Sequence, residues 1–314
     1  MLGRTANSIF WMCRYFERAE NTARLLEAGF RMALTRPSDA AGEEWRSVIN
    51  TLGQIGHYSS LYDGYSGAQV CNYVLRDREN PFCVLAMVEA ARTNARVART
   101  SLTTEVWESV NECWMTLKDV LARPVRERNL GAVLAAIRRE ARLFHGATYG
   151  TMLRNDIYQF ARAGTLIERA DNTARILDVK YHLLLPSLSY VGSALDSSQW
   201  DQVLRSLAGD SLYSWLNAGQ MDPRGIAEFL VLDGRFPRSL LFSYEQLSQH
   251  LSELAREYGE ETDAHALMKD ARQWLAGRNI QDIFDTGLHE FLIDFIERNQ
   301  SIANTIAEDY RFTT

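Results

Sequence analysis

The chain has 314 residues, of which 46% are hydrophobic and 24% are charged, and its formal net charge is -6. This composition is typical of a folded globular protein, long enough for one large core or two ordinary domains, and it excludes a disordered chain. The acidic charge and the lack of a Lys/Arg run flanked by aromatic residues also argue against binding to phosphate backbones. We therefore predict no nucleic-acid partner.

The hydropathy of the chain predicts a cytoplasmic protein that does not enter the membrane. Arg14 and Glu17 interrupt the N-terminal region before any apolar stretch of the signal-peptide type can form. The most apolar stretch, residues 181–195, contains Pro186 and several small or polar residues, and we predict a helix end and a turn there rather than a membrane span.

Apolar residues recur at three- and four-residue spacing along nearly the whole chain, which predicts an all-α fold. Cap-type residues such as Asp222 before Pro223 and Thr262 before Asp263 signal helix starts. The predicted helices, in chain order, span residues 6–34, 43–61, 67–76, 81–100, 104–122, 129–153, 156–184, 197–217, 223–232, 237–258, 263–276 and 280–309.

A segment of the first predicted helix recurs 151 residues later. Residues 17–24, ERAENTAR, align without a gap on residues 168–175, ERADNTAR, and seven of the eight positions are identical. Further landmarks follow in the same order: Trp45, Val48 and Leu52 match Trp200, Val203 and Leu207, and Asp77 with Pro81 matches Asp233 with Pro237. This order predicts an internally duplicated helical bundle with approximate two-fold pseudo-symmetry.

The duplication predicts two helical repeat units, residues 1–155 and 156–314, that form one compact body. The helix carrying the Glu-Arg motif spans residues 6–34 in the first unit and residues 156–184 in the second. In each unit a proline, Pro81 or Pro237, is expected in the first turn of a later helix.

A helical wheel separates the residues of the motif into two faces. Phe16 and Ala23 lie on a broad apolar arc, whereas Glu17, Asn21 and Arg24 lie on the opposite face. The residues of this second face are identical in the two copies. Three interpretations stay open: a solvated surface, a structural ion-pair network between helices, or a site for a ligand or a partner.

The spacing of the motif also predicts local ion pairs, since Glu20 with Arg24 and Asp171 with Arg175 stand at i,i+4. A binding site here would offer guanidinium and amide donors to a carboxylate or a phosphate, and glutamates to a proton or an amine. Such donors suit an amino-acid or peptide-like ligand. The candidate residues, for binding or for a structural network, are Glu17, Arg18, Glu20, Asn21, Arg24, Glu168, Arg169, Asp171, Asn172, Arg175, Glu297 and Arg298.

The signatures of several enzyme classes are missing from the sequence. It contains no GxGxxG, GxxxxGK[ST], HExxH or GxSxG motif, and none of the six histidines has a glutamate three residues before it, as a di-iron bundle needs. The cysteines lack CxxC spacing and are predicted to be reduced and mostly buried; they are Cys13, Cys71, Cys83 and Cys113. We predict no metal and no cofactor, and the residues favour a chain that is not an enzyme on its own.

Three segments of the chain resemble blocks of the alpha-E domain family, a bacterial helical family named for its Glu-Arg motif. They are LGRTANSIFWMCRYFERAENTAR, RENPFCVLAMVEAARTNAR and LIERADNTARILD, and the resemblance covers essentially the whole chain. Genes of this family tend to neighbour those of a circularly permuted ATP-grasp protein and a transglutaminase-like peptidase. The resemblance therefore implies a system that makes and processes amide or peptide bonds.

Carried onto this sequence, the family motif falls on Glu17, Arg18, Glu168 and Arg169, whereas the middle block has Ala90 in place of the arginine. The resemblance implies a partner or co-catalytic subunit of an ATP-grasp amide-bond ligase. One alternative is a stand-alone binder or enzyme that acts on a small carboxylate or amine through the Glu-Arg-Asn cluster, and another is a purely structural scaffold. A homo-oligomer is left open.

Overall fold

The computed structural model describes residues 1–34, 41–183 and 194–312. Within these ranges every regular element is a helix, so the predicted all-α class is confirmed. None of the described helices has both the length and the apolar character needed to cross a membrane. Most of the stretch 181–195, for which we predicted a helix end and a turn, lies outside the described residues.

The chain packs as two compact units. Unit I is Trp11–Leu153, and unit II is Met1–Phe10 together with Arg154–Thr314. The division after Leu153 lies close to the boundary at residue 155 that the repeat predicts, although the first ten residues pack with the later part of the chain. The duplication itself stays a prediction.

Fifteen α-helices occur in the described ranges. The first seven are α1 (Gly3–Leu34), α2 (Ala41–Thr51), α3 (Ile55–Leu61), α4 (Gly67–Leu75), α5 (Val84–Val97), α6 (Thr104–Val120) and α7 (Glu127–Thr151). The remainder are α8 (Asp156–Leu183), α9 (Ala194–Ser206), α10 (Asp210–Leu216), α11 (Pro223–Leu232), α12 (Leu240–Tyr258), α13 (Asp263–Ala276), α14 (Ile280–Thr286) and α15 (Leu288–Asp309).

Three of the predicted helices are each divided in two by a break of one or three residues. They are the helices predicted at residues 43–61, 197–217 and 280–309. Gly53, Ala208 and Gly287 stand at or beside the breaks with φ angles of 67°, 55° and 107°. A positive φ cannot continue a right-handed helix. Because so few residues separate the two parts, the apolar spacing on both sides looks continuous in the sequence.

The starts of α5 and α12 differ from the prediction. Both helices begin three residues after the prolines Pro81 and Pro237, so neither proline lies in a first turn. Cys83 and Ser239 cap them instead, and their side chains accept hydrogen bonds at 3.4 and 3.0 Å from the backbone N–H three residues on. The sulfur of Cys83 here takes the place that a hydroxyl or a carboxylate usually fills at an N-cap.

In unit I, α6 packs against α5 and α7, and side-chain contacts show that α7 lies antiparallel to α1. The rings of Phe16 on α1 and Phe144 on α7 stack with centroids 3.8 Å apart. Further along α1, Glu27 forms an ion pair with Arg138, which precedes Phe144 on α7. The order of these contacts shows the antiparallel direction and brings the second half of α7 beside the Glu-Arg motif of α1.

In unit II, α8 packs against α12 and α15, and α13 contacts both of those helices. Tyr244 of α12 stacks on Phe295 of α15 with ring centroids 4.7 Å apart, and the Asn299 amide donates to the Ile167 carbonyl at 3.0 Å. These four helices form a bundle, and α8, which carries the second Glu-Arg motif, is one of its members.

Gly164 of α8 marks a close approach of two backbones within unit II. A Cβ atom at this position would overlap the carbonyl oxygen of Phe10, at the end of the part of α1 that belongs to this unit. A backbone carbonyl cannot move aside as a flexible side chain can, so glycine is required here for steric reasons.

We predict that Gly164→Ala lowers the free energy of unfolding by about 1–3 kcal/mol, because the added methyl group forces the two backbones apart. Gly131→Ala is the matched control, since Gly131 is exposed on α7 and a Cβ there meets nothing within 4 Å. The control should be neutral or stabilising by up to about 1 kcal/mol. Urea denaturation of both variants measures the difference, and equal stability would contradict the steric argument.

His250 links α12 to α8. Its Nδ1 donates a hydrogen bond to Oε1 of the buried Gln159 at 2.6 Å. Burial, reinforced by the positive charges of Arg162 and Arg154, lowers the pKa of His250 from 6.5 to about 4. The folded protein therefore holds this imidazole neutral at a pH where the unfolded chain protonates it.

This lowered pKa predicts a pH-dependent stability with a definite sign. As the pH falls from 6.5 to 4, the unfolded chain binds a proton at His250 before the folded chain does, so the free energy of unfolding decreases through this window by at most about 3 kcal/mol. Above pH 6.5 the contribution is complete. His250→Gln should flatten the slope between these values in urea denaturation, and an unchanged slope would show that other groups cause it.

Candidate functional site

Helix α1 is buried on the face that carries its charged residues. Glu17, Glu20 and Asn21 are 0%, 2% and 3% exposed, and Phe16 and Ala23 on the opposite face are buried as well. On α1 the charged face is therefore not a solvated surface. Carboxylates removed from water need compensating charges or hydrogen bonds nearby, and two such neighbours are found.

The first neighbour is Arg24, one helical turn further along α1. Its Nε and Nη2 donate to the same oxygen of Glu20, Oε1, at 3.0 and 2.6 Å. The predicted i,i+4 pair is thus confirmed, and its side chains are only 13% and 3% exposed. Both donors use the same carboxylate oxygen, Oε1, of Glu20.

The second neighbour is His145 of α7, which sequence reasoning missed. Its Nε2 lies 3.3 Å from Oε2 of Glu17 and 3.8 Å from Oε2 of Glu20. One nitrogen and two oxygens of these residues lie within 4.8 Å of one another, and all three residue types are metal ligands. We refer to Glu17, Glu20 and His145 as the carboxylate–histidine cluster.

The position of His145 follows from the packing of α7 on α1. Phe144 stacks on Phe16, and the next residue along α7 is His145. The sequence pattern within either helix does not predict this contact, because the histidine lies in a different helix from the two glutamates. Only the antiparallel packing of the helices brings them together.

The second copy of the motif, on α8, has a different environment. Glu168 is 4% exposed, whereas Asp171, Asn172 and Arg175 are only partly buried. The predicted pair is confirmed: Nε and Nη2 of Arg175 donate to the two oxygens of Asp171 at 2.7 and 3.2 Å. The Arg175 side chain is 42% exposed, so this pair is far more solvated than its counterpart on α1.

The arginine of the second Glu-Arg motif contacts the turn before α12. Arg169 donates to the carbonyl of Pro237 at 3.3 Å, and Thr173, one helical turn further on, donates to the carbonyl of Arg238 at 2.8 Å. Both carbonyls belong to a segment without helical hydrogen bonds of its own. In unit II the motif therefore stabilises a turn. Arg18, the matching arginine of α1, is partly buried.

The C-terminal Glu-Arg pair is a feature of the surface of α15. Arg298 donates to Asp294 on the same helix at 2.8 Å, and its guanidinium lies 4.6 Å from the ring centroid of Trp274 on α13. Glu297 is exposed. Its environment therefore differs from that of the buried Glu17, although the Glu-Arg sequence is the same.

Two contacts recur in the two units at the same sequence offset. Glu27 pairs with Arg138 in unit I, and Asp178 pairs with His289 in unit II. Each residue of the second pair lies 151 positions after its counterpart in the first pair. The same offset relates the two copies of the motif. This correspondence supports the predicted duplication, which stays a prediction because matched pairs of this kind can also arise by convergence.

The four cysteine thiols lie in the protein interior. All four cysteines are free and buried, as predicted, and they are Cys13, Cys71, Cys83 and Cys113. Burial raises the pKa of Cys71 to about 12 and raises the pKa values of Cys83 and Cys113 as well. A nucleophilic cysteine needs the opposite shift, so these three thiols do not offer a thiolate at neutral pH.

We predict that Arg24→Met costs about 3 kcal/mol of unfolding free energy, because it removes the guanidinium that holds a buried carboxylate. Arg175→Met, the matched variant on α8, should cost less than about 1 kcal/mol, since that pair is more exposed to water than the pair on α1. Methionine preserves helix propensity and side-chain length in both cases. Urea denaturation compares the variants, and similar losses would show that burial does not distinguish the two pairs.

Comparison with known proteins places these features in a family context. Residues 1–310 match the family model Alpha-E, described as a predicted alpha-helical domain with a conserved ER motif. Uncharacterised proteins of Mycobacterium bovis and of two strains of Mycobacterium tuberculosis are 24% identical over 269 residues, which is 80% of this chain. The aligned region covers only 30% of each of those relatives. No solved structure matches the chain significantly.

Proposed function

Because this chain belongs to the Alpha-E family, we propose that it serves as a partner or co-catalytic subunit of an ATP-grasp enzyme that forms amide or peptide bonds. The observation that carries the proposal is the length of the mycobacterial relatives, in which the similar region is 30% of a longer polypeptide. A domain that is covalently joined to other segments in its relatives is suited to work beside other domains. The ATP-grasp assignment comes from the resemblance to the family.

In this proposal the chemistry is divided between two proteins. The sequence has no nucleotide-binding motif, so ATP is bound by the ligase, and a transglutaminase-like peptidase acts on the amide bonds that are formed. Use of ATP places the system in the cytoplasm. The helical chain contributes a surface that holds the ligase or its substrate.

The motif residues themselves are poorly placed to form that surface. Glu17 and Glu20 are buried, which contradicts the expectation that the Glu-Arg helix of unit I docks a partner directly through them. Arg24 and Arg175 each donate to a carboxylate on their own helix, so a small carboxylate ligand would have to displace an existing ion pair. A surface that docks the ligase is therefore better sought elsewhere on the chain.

A better docking surface lies on α10 of unit II. Leu212, Trp215 and Leu216 are 45%, 80% and 42% exposed on this one helix. Exposed tryptophan beside leucine is typical of protein interfaces, where aromatic side chains act as anchors. At the offset of 155 that relates Trp45 to Trp200, Trp215 corresponds to Ser60, so the repeat does not require an aromatic residue here.

We predict that the chain and an ATP-grasp ligase of the same organism elute together in size-exclusion chromatography at micromolar concentration. Trp215→Ser should separate the peaks without lowering the melting temperature, since a side chain that is 80% exposed contributes little to folding. Leu153→Ser is the matched control, because Leu153 is 77% exposed in unit I and should keep the complex intact.

Two separate peaks for the unmodified proteins, together with unchanged ligase activity, would rule out the partnership. A complex that survives Trp215→Ser would keep the partnership and reject α10 as the contact surface. The two parts of the proposal therefore fail separately.

A further inference from the structure

The distances within the carboxylate–histidine cluster are close to those between the ligands of a metal ion. Ligand atoms around a tetrahedral zinc ion, with bonds of about 2.0–2.1 Å, lie about 3.3–3.4 Å apart. Nε2 of His145 is 3.3 Å from Oε2 of Glu17 and 3.8 Å from Oε2 of Glu20. Small side-chain movements would bring all three atoms within bonding distance of one ion.

The hydrogen bonding of α7 beside the cluster points to a ligand as well. Nε2 of His145 is buried but has no hydrogen-bond partner among the described residues, although a carboxylate oxygen lies 3.3 Å away. Thr148, one helical turn further along α7, is 4% exposed, and its hydroxyl likewise has no partner in the described ranges. Buried polar atoms are rarely left unpaired, and a bound ion with its water molecules would satisfy both of them.

We propose that Glu17, Glu20 and His145 bind one divalent transition-metal ion of the Zn²⁺, Mn²⁺ or Fe²⁺ class. Two carboxylates and one imidazole are a mixed oxygen and nitrogen donor set, which suits these ions better than Ca²⁺, which takes six to eight oxygen ligands. This proposal replaces the prediction of no metal. The prediction of no metal depended on the spacing of ligands along the sequence, and such spacing does not show a histidine contributed by a distant helix.

Three protein ligands leave at least one coordination position for water or for an anionic ligand, as in catalytic rather than structural metal sites. Among the three, His145 is the most exposed at 18%, so the route to the ion passes its side chain. Arg24 remains bound to the other oxygen of Glu20 and fixes the orientation of that carboxylate, as outer hydrogen bonds do in metal sites.

The second copy of the motif offers an internal comparison. At the offset of 151, Glu17 and Glu20 correspond to Glu168 and Asp171, whereas His145 corresponds to Ile296. Isoleucine cannot ligate a metal, so we expect one ion per chain rather than two. The metal proposal is independent of the proposed partnership, and either can fail without the other.

The test uses the full chain, treated with EDTA and desalted, and then titrated with Co²⁺ as a spectroscopic probe for zinc-type sites. We expect visible absorption that saturates at one Co²⁺ per chain and is abolished by an equimolar amount of Zn²⁺. His145→Ala should weaken Co²⁺ binding at least about 10-fold, because it removes the only nitrogen ligand. His145→Cys should restore binding, since a thiolate is a strong ligand for both ions.

Glu168→Gln is the matched control in unit II and should bind Co²⁺ like the unmodified chain. Circular dichroism confirms that each variant keeps its helices, and His145→Ala is suited to this because the side chain is already partly exposed. Absence of a saturable Co²⁺ spectrum at micromolar concentration would overturn the proposal, and so would equal binding by His145→Ala. Either result would identify the cluster as an ion-pair network without a metal.

Discussion

The structure of unit I depends on the burial of two carboxylates in one helix. Glu17 and Glu20 lie on consecutive turns of α1 and are almost completely removed from water. Desolvation of an ionised group costs several kcal/mol, so the fold must supply compensating groups at fixed positions. Arg24 comes from the same helix, but His145 comes from α7. The packing of α7 on α1 is therefore set by charge as well as by apolar contact.

This constraint explains why α1 and α7 are joined by charged contacts as well as by apolar packing. An aromatic stack at Phe16 and Phe144 lies beside the cluster, and an ion pair at Glu27 and Arg138 lies further along the helices. Apolar packing alone would tolerate some sliding of one helix along the other. The cluster and the ion pair together hold one alignment, since sliding would leave a buried charge without its partner.

The two copies of the Glu-Arg motif share a sequence but differ in their surroundings. The first glutamate of each copy, Glu17 or Glu168, is buried. The remaining residues diverge: the Glu20–Arg24 pair is enclosed, whereas Arg175 is partly exposed and Arg169 binds the turn before α12. The motif therefore acts in both units as a polar element of a helical core, and in unit I a histidine of α7 joins it.

The sequence by itself determined the helical class, most helix positions, the two local ion pairs and the buried cysteines, because each depends on residues close together in the chain. It also located the motif. It could not determine that Gly53, Ala208 and Gly287 interrupt helices, since a positive φ at one residue leaves the apolar spacing unchanged. Nor could it place His145 beside Glu17, because nothing in either helix encodes contact with the other. Only tertiary packing decides which distant side chains share a buried space, and the chemistry of this site depends on that choice.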